Sequence, residues 1–193
     1  DFVICGGASL PAETALAWER LGVRVIEGYG ATECAPVIAC NSYDRRLPGT
    51  VGRALDGVKV RISEEGEVQV HGPNVFAGYW QDPARSAASL TADGWFRTGD
   101  MGALDAEGRL SIQARLSDRI VLPSGMKVYP ADVEAVLMQE AGIRDCAVLG
   151  LPGPDGQEQV HAVVLAPDAG PGAPAEAVAR ANRRLASHQR IMG

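Results

Sequence analysis

The chain has 193 residues, 46% of them hydrophobic and 22% charged, with a formal net charge of −6. That is globular composition, enough for one medium domain or a small domain plus part of another. The acidic balance excludes a general binder of nucleic acid or of anionic membrane surface, and no apolar run reaches membrane-spanning length.

Taken in chain order, Phe2-Val3-Ile4-Cys5 reads as a buried strand that runs into the glycine loop Gly6-Gly7-Ala8-Ser9. Residues 11–21 show helical spacing, with Pro11 suited to a first helical position and Gly22 to the stop. Residues 23–27 form the next strand, so the opening is a strand–helix–strand unit whose strands run parallel. Each strand delivers a loop to the same sheet edge, and the second loop is Tyr29-Gly30-Ala31-Thr32-Glu33. Open α/β folds place ligands at that edge, although a plain glycine turn explains the second loop equally well on its own.

Residues 37–40 read as a further short strand. From Pro48 the texture changes. Residues 58–62 and 67–71, joined by Glu64-Glu65-Gly66, predict an antiparallel hairpin in a small β subdomain that runs to residue 116. Asp82 is placed to cap a short helix beginning at Pro83. Asp93-Gly94-Trp95-Phe96-Arg97-Thr98-Gly99-Asp100 reads as turn, strand, turn, and residues 104–115 as a hairpin about Asp105-Ala106-Glu107-Gly108. Beyond it come a hairpin about Pro123-Ser124-Gly125, a helix over 130–140, strands over 146–149 and 160–165, a loop over 167–174 and a helix over 175–187. This β-β-α-β-β-α order has its own small core. The fold class is therefore α/β plus α+β: residues 1–116 are the end of a large parallel-sheet domain with a β subdomain, and residues 117–193 are a small α+β domain. Asp1 in place of methionine, and a last residue directly after a basic helical segment, read as a piece of a longer protein.

Some chemistries are absent. The chain has no GxxxxGK[ST], GxGxxG or HExxH, and His71, His161 and His188 stand alone. Cys5, Cys34, Cys40 and Cys146 lack CxxC spacing, which argues against zinc and for a reducing, cytoplasmic compartment. Polar groups in glycine turns remain. Gly7, Ala8 and Ser9 let backbone approach a planar ligand, and Tyr29 offers a stacking face. Thr32 offers a hydroxyl to a phosphate, and Glu33 a carboxylate to a hard cation such as Mg2+. Asp100 has two oxygens for the vicinal hydroxyls of a ribose, and Arg115 a fork of donors for a hydroxyl or phosphate. Each of these alone is as readily a turn residue.

Together they resemble one family. The segments GGASLP, YGATE, GEVQVHGPNVFAGYW, GWFRTGD and ARLSDRIVLPSGMKVYPADVE occur in the order found in the AMP-forming adenylating enzymes, and cover most of residues 1–150. That family includes acyl-CoA synthetases, luciferase-like enzymes and peptide-synthetase adenylation domains. The resemblance implies an adenine pocket lined by Gly7, Ala8 and Ser9, with Glu27 at the adenine amine and Tyr29 stacked on the base. It places Thr32 on the α-phosphate, Glu33 on Mg2+, and Asp100 and Arg115 on the ribose. Gly28 and Gly30 fall at the acyl pocket, and bare Gly30 implies room for a medium or long acyl chain. Ser117 falls at the hinge of a mobile lid, a position more usually Asp or Lys, and Gly125 in a loop that the lid swings inward.

The implied reaction joins ATP and a carboxylic acid into an acyl-adenylate, then passes the acyl group to the thiol of CoA. The family's phosphate loop and its catalytic lysine are both missing from residues 1–193, and Lys127 is not that lysine. The expectation is that these residues alone are inactive. The resemblance closest in texture is to fatty acyl-CoA synthetases, and it leaves a homodimer open. An acyl-AMP ligase or adenylation domain that loads a carrier protein, and a nucleotide-binding module without catalysis, remain as alternatives.

Overall fold

The computed structural model describes every residue except Ser9, Ala169 and Pro171. The chain divides into two compact units, Asp1–Gln113 and Ala114–Gly193.

The first unit opens with β1 (Phe2–Cys5), α1 (Ala12–Arg20) and β2 (Arg24–Gly30). Strands β1 and β2 pair in parallel, from Phe2 opposite Arg24 to Cys5 opposite Glu27, as the strand–helix–strand pattern predicts. Gly22, at φ +84°, ends the connection from α1. Strand β2 does not stop at Glu27. Its second half pairs antiparallel with β3 (Val37–Cys40), Gly28 opposite Cys40 and Tyr29 opposite Ala39, and β3 in turn pairs with β4 (Arg53–Ala54). The glycines that look like a turn thus lie inside a strand, because β3 supplies ladder partners that no local pattern reveals. The sheet order is β1-β2-β3-β4. The expected burial of β1 is not met: Phe2 is 56% and Ile4 73% exposed, since among the described strands β1 is an edge flanked by β2 alone.

A second sheet has the order β5 (Lys59–Ile62), β6 (Glu67–His71), β7 (Phe96–Leu104), β8 (Leu110–Arg115). The predicted hairpin is β5–β6, with Ile62 opposite Val68 and Lys59 opposite His71. Strand β7 runs unbroken through Thr98-Gly99-Asp100, where the sequence predicts a turn. Gly99 takes φ +72°, and the β6–β7 register shifts between Glu67 and Gln69, so the turn signal marks a bulge within the strand. Between β6 and β7 lies α2 (Pro83–Ala88), capped as expected by Asp82, whose carboxylate accepts the Arg85 N–H at 2.9 Å. The core of this unit contains Cys34, Ile38, Val68, Val70, Phe96 and Leu110, with Tyr29 and Phe76 packed on it.

The second unit holds β9 (Ile120–Val121), β10 (Lys127–Val128), α3 (Pro130–Leu137), β11 (Asp145–Pro152), β12 (Glu158–Leu165) and α4 (Ala173–Arg184). Strands β9 and β10 pair antiparallel, as do β11 and β12. The core gathers Ile120, Val128, Val133, Leu137, Val148, Val160 and Ala181. Arg180 and Arg184 of α4 both reach the Glu140 carboxylate beyond α3, at 2.8 and 3.4 Å. Among the described residues no helix is long and apolar enough to cross a membrane.

Leu110 is 1% exposed in the first core. Leu110→Ala is expected to destabilise that unit by about 2–5 kcal/mol, the range for a large-to-small core change. Urea denaturation followed by tryptophan fluorescence checks it, because Trp18, Trp80 and Trp95 all fall within Asp1–Gln113.

Candidate active site

The end of β1 and the middle of β2 come together through glycine. Gly6 passes the Gly28 carbonyl so closely that a Cβ at Gly6 would stand 3.2 Å from the oxygen. Gly7 then takes φ +90°, open to a left-handed backbone that an L side chain disfavours, and Ala8 is exposed. Ser9 lies outside the described residues. Glu27, whose Cα partner on β1 is Cys5, is 7% exposed. Burial raises the pKa of its carboxyl, and a bond from the Gly49 backbone N–H works in the other direction.

Tyr29 and Asp100 are 71 residues apart in sequence, and the structure joins them. The Tyr29 hydroxyl donates to Asp100 Oδ2 at 2.5 Å, linking β2 of one sheet to β7 of the other. Asp100 is 7% exposed, and its backbone N–H donates to the Thr98 hydroxyl at 3.1 Å. That hydroxyl in turn donates to the Val68 carbonyl at 2.7 Å. The carboxylate therefore projects from a strand locked to β6.

Thr32 and Glu33 begin a single 3-10 turn, Thr32–Cys34, directly after β2. Glu33 is partly exposed and is gripped by residues that the sequence reading left without a role. The Tyr79 hydroxyl donates to Glu33 Oε1 at 2.8 Å, and the Phe76 N–H donates to the Glu33 carbonyl at 2.8 Å. Asn74 Nδ2 donates to the carbonyls of Cys34 and Val37, at 3.0 and 3.2 Å. The only sequence signal for these contacts is their place in the GPNVFAGYW run. Among the described residues no three His, Cys, Asp or Glu side chains gather as a metal cage. Glu33 can therefore offer a cation one carboxylate, the donor set of a Mg2+ that takes its remaining ligands from phosphate and water.

Gly30 has a reason of its own to be bare. A Cβ there would overlap the Pro36 carbonyl, so the close approach of that backbone requires glycine whatever the acyl pocket needs. Ala35, at φ +50°, makes the corner that brings Pro36 back against β2.

The remaining candidates fall in the second unit, which begins at Ala114 within the last residues of β8. Arg115 lines a cavity of about 470 Å³ together with Asp118, Arg119, Glu134 and Glu158. Ser117 sits in the 3-10 turn Leu116–Asp118, and its hydroxyl donates to Asp118 Oδ1 at 2.8 Å. Gly125 turns between β9 and β10 at φ +79°, and Lys127 is exposed on β10. A larger cavity of about 600 Å³ in the first unit, lined by Arg45, Arg46, Arg53 and Arg109, contains none of the candidate residues.

Two measurements follow from this geometry. Tyr29→Phe keeps the ring and deletes one donor to a buried carboxylate, at a cost of about 1–3 kcal/mol in urea denaturation. Glu27 takes up its proton at a higher pH when folded than when unfolded, so folding stability falls as pH rises from the unfolded value of 4.5 through the raised folded value. Glu27→Gln is expected to flatten that segment of the stability curve, and denaturation at a series of pH values reads it directly.

Residues 1–80 match the model of the AMP-binding enzyme family. A long-chain-fatty-acid–CoA ligase of Yersinia pestis is 37% identical over 177 residues, covering 84% of this chain and 31% of that protein. A feruloyl-CoA synthase of an Amycolatopsis species is 35% identical over 178 residues, covering 86% of this chain and 36% of that protein. The crystal structure of ATP-bound MatB from Rhodopseudomonas palustris superposes with a TM-score of 0.85 at 34% identity, over 97% of this chain and 40% of that one. The chain thus spans about a third of the length of the curated relatives it matches. The family match thus rests on residues 1–80, and the chain as a whole has the fold of its adenylate-forming structural neighbours.

Proposed function

We propose that the chain is part of an AMP-forming acid–CoA ligase, with Asp1–Gln113 contributing to the adenylate-binding domain and Ala114–Gly193 to its lid. The observation that carries this reading is the Tyr29–Asp100 hydrogen bond, which sets an aromatic face and a ribose-type carboxylate side by side across two sheets. In the proposed reaction the acid's carboxylate attacks the α-phosphorus of ATP, pyrophosphate leaves, and the CoA thiol then displaces AMP from the acyl carbon. Tyr29 stacks on adenine, Glu27 faces the adenine amine, and Asp100 accepts from the ribose hydroxyls, with Arg115 as the second ribose contact. Thr32 donates to the α-phosphate from a turn fixed by the Cys34 N–H to Ala31 carbonyl bond of 2.8 Å. Mg2+, held by Glu33, would neutralise phosphate charge. The protein's share is positioning and electrostatics, and Ser117 is the proposed hinge.

For the acid we propose a medium- or long-chain fatty acid. The support is the identity to the Yersinia pestis ligase, while Gly30, whose bareness the Pro36 carbonyl explains, adds none. An aromatic acid is the second reading, on the strength of the Amycolatopsis feruloyl-CoA synthase.

Pyrophosphate release by the full-length protein, assayed over a panel of fatty and hydroxycinnamic acids with CoA as acceptor, tests both readings. Activity on fatty acids is expected, with Asp100→Ala lowering kcat/KM for ATP about tenfold to a hundredfold, the value of hydrogen bonds to a charged group. Release with no acid, or full activity in Asp100→Ala, overturns the assignment.

A further inference from the structure

Outside the residues already given roles, Tyr79 is held by contacts on several sides. Its hydroxyl donates to Glu33 Oε1 at 2.8 Å. Its backbone N–H donates to the Ser86 hydroxyl at 2.8 Å, and Ser86 donates to the Asp82 carbonyl at 2.7 Å. Its ring meets Phe76 edge to face, with centroids 4.9 Å apart, and Phe76 meets buried Phe96 in the same way at 5.6 Å. The Arg85 guanidinium covers the Tyr79 ring at 4.2 Å. The phenol is thus fixed at its main chain, its edge and its face, and its oxygen is aimed at one carboxylate oxygen.

We infer that Tyr79 is a positioning residue: it holds the Glu33 carboxylate in the orientation in which it would serve the divalent cation of a bound nucleotide. This deepens the reading of Glu33 proposed above and rests on it. With Oε1 accepting from Tyr79, the bond disfavours rotation of the carboxylate. The 2.8 Å bond from the Phe76 N–H to the Glu33 carbonyl fixes the main chain beneath it. Phe76 thus serves both ends of the contact, since its ring carries Tyr79 and its amide carries Glu33. Groups that orient a metal ligand in this way commonly change metal affinity about tenfold to a hundredfold when removed.

The experiment is calorimetric binding of α,β-methylene-ATP to the full-length protein, with saturating Mg2+ and with EDTA, for the wild type, Tyr79→Phe, Glu33→Gln and the double variant. Tyr79→Phe keeps the ring on Phe76 and under Arg85, and thermal melting by circular dichroism checks that the fold is retained. The expected result is that Tyr79→Phe reduces the Mg2+-dependent gain in affinity about tenfold while leaving the EDTA affinity unchanged. Glu33→Gln reduces the gain at least as much, and adding Tyr79→Phe to it changes nothing further. An equal loss in Mg2+ and in EDTA, or no loss in Tyr79→Phe while Glu33→Gln loses the gain, overturns the inference alone. A gain that survives Glu33→Gln overturns the Glu33 reading, and the inference with it.

Discussion

The hydrogen bond between Tyr29 and Asp100 is the joint on which the first unit's geometry depends. It bridges a strand of the mixed sheet to a strand of the antiparallel one, at a place where both side chains are largely removed from water. A charge-assisted bond of this kind is about twice as strong as a neutral one, and removing a donor from a buried carboxylate costs desolvation as well. The same phenol that ties the sheets also presents its ring beside the carboxylate. Sheet packing and site geometry are therefore one structural problem here, solved by one side chain.

A second feature reinforces that joint. Phe96 begins β7 in the core, and Asp100 lies four positions further along the same strand. Through Phe76 the Phe96 ring also supports Tyr79, and through Tyr79 it supports Glu33. Two carboxylates from distant parts of the chain are thus referred to a single nine-residue strand. Chemistry that works by positioning needs such a rigid reference, because errors of about an ångström in a bound geometry are costly.

Much of this was legible before any coordinates. Apolar β-branched runs separated by a proline-started helix announce β1, α1 and β2, and the Glu64-Glu65-Gly66 turn announces the β5–β6 hairpin, because these are local rules of spacing and turn chemistry. Glycine was read wrongly in two places for one reason. Gly28 and Gly30 in β2, and Gly99 in β7, look like chain reversals. In the fold they accommodate a strand switching partners, a neighbouring carbonyl and a bulge. Those are tertiary demands, and a glycine looks the same under either. Strand β1 shows the converse: its run of apolar residues predicts burial, but burial depends on neighbours, and on one side none of the described strands flanks it. The grip of Tyr79 on Glu33 spans 46 residues and has no local signature beyond lying in a run that resembles a family.

The contact between Gly30 and the Pro36 carbonyl also bears on how such a pocket can be altered, by selection or by an engineer. If residue 30 borders the acyl chain, a larger side chain there does not simply shorten the cavity. It first collides with main chain, and that main chain is held by Ala35 in a left-handed corner and by the bonds from Asn74 to Cys34 and Val37. Changing the bulk at residue 30 therefore means rebuilding residues 35–37 at the same time. Substrate range at such a wall would be a property of two segments that change together, because a side chain at residue 30 displaces the Pro36 main chain before it can fill any pocket.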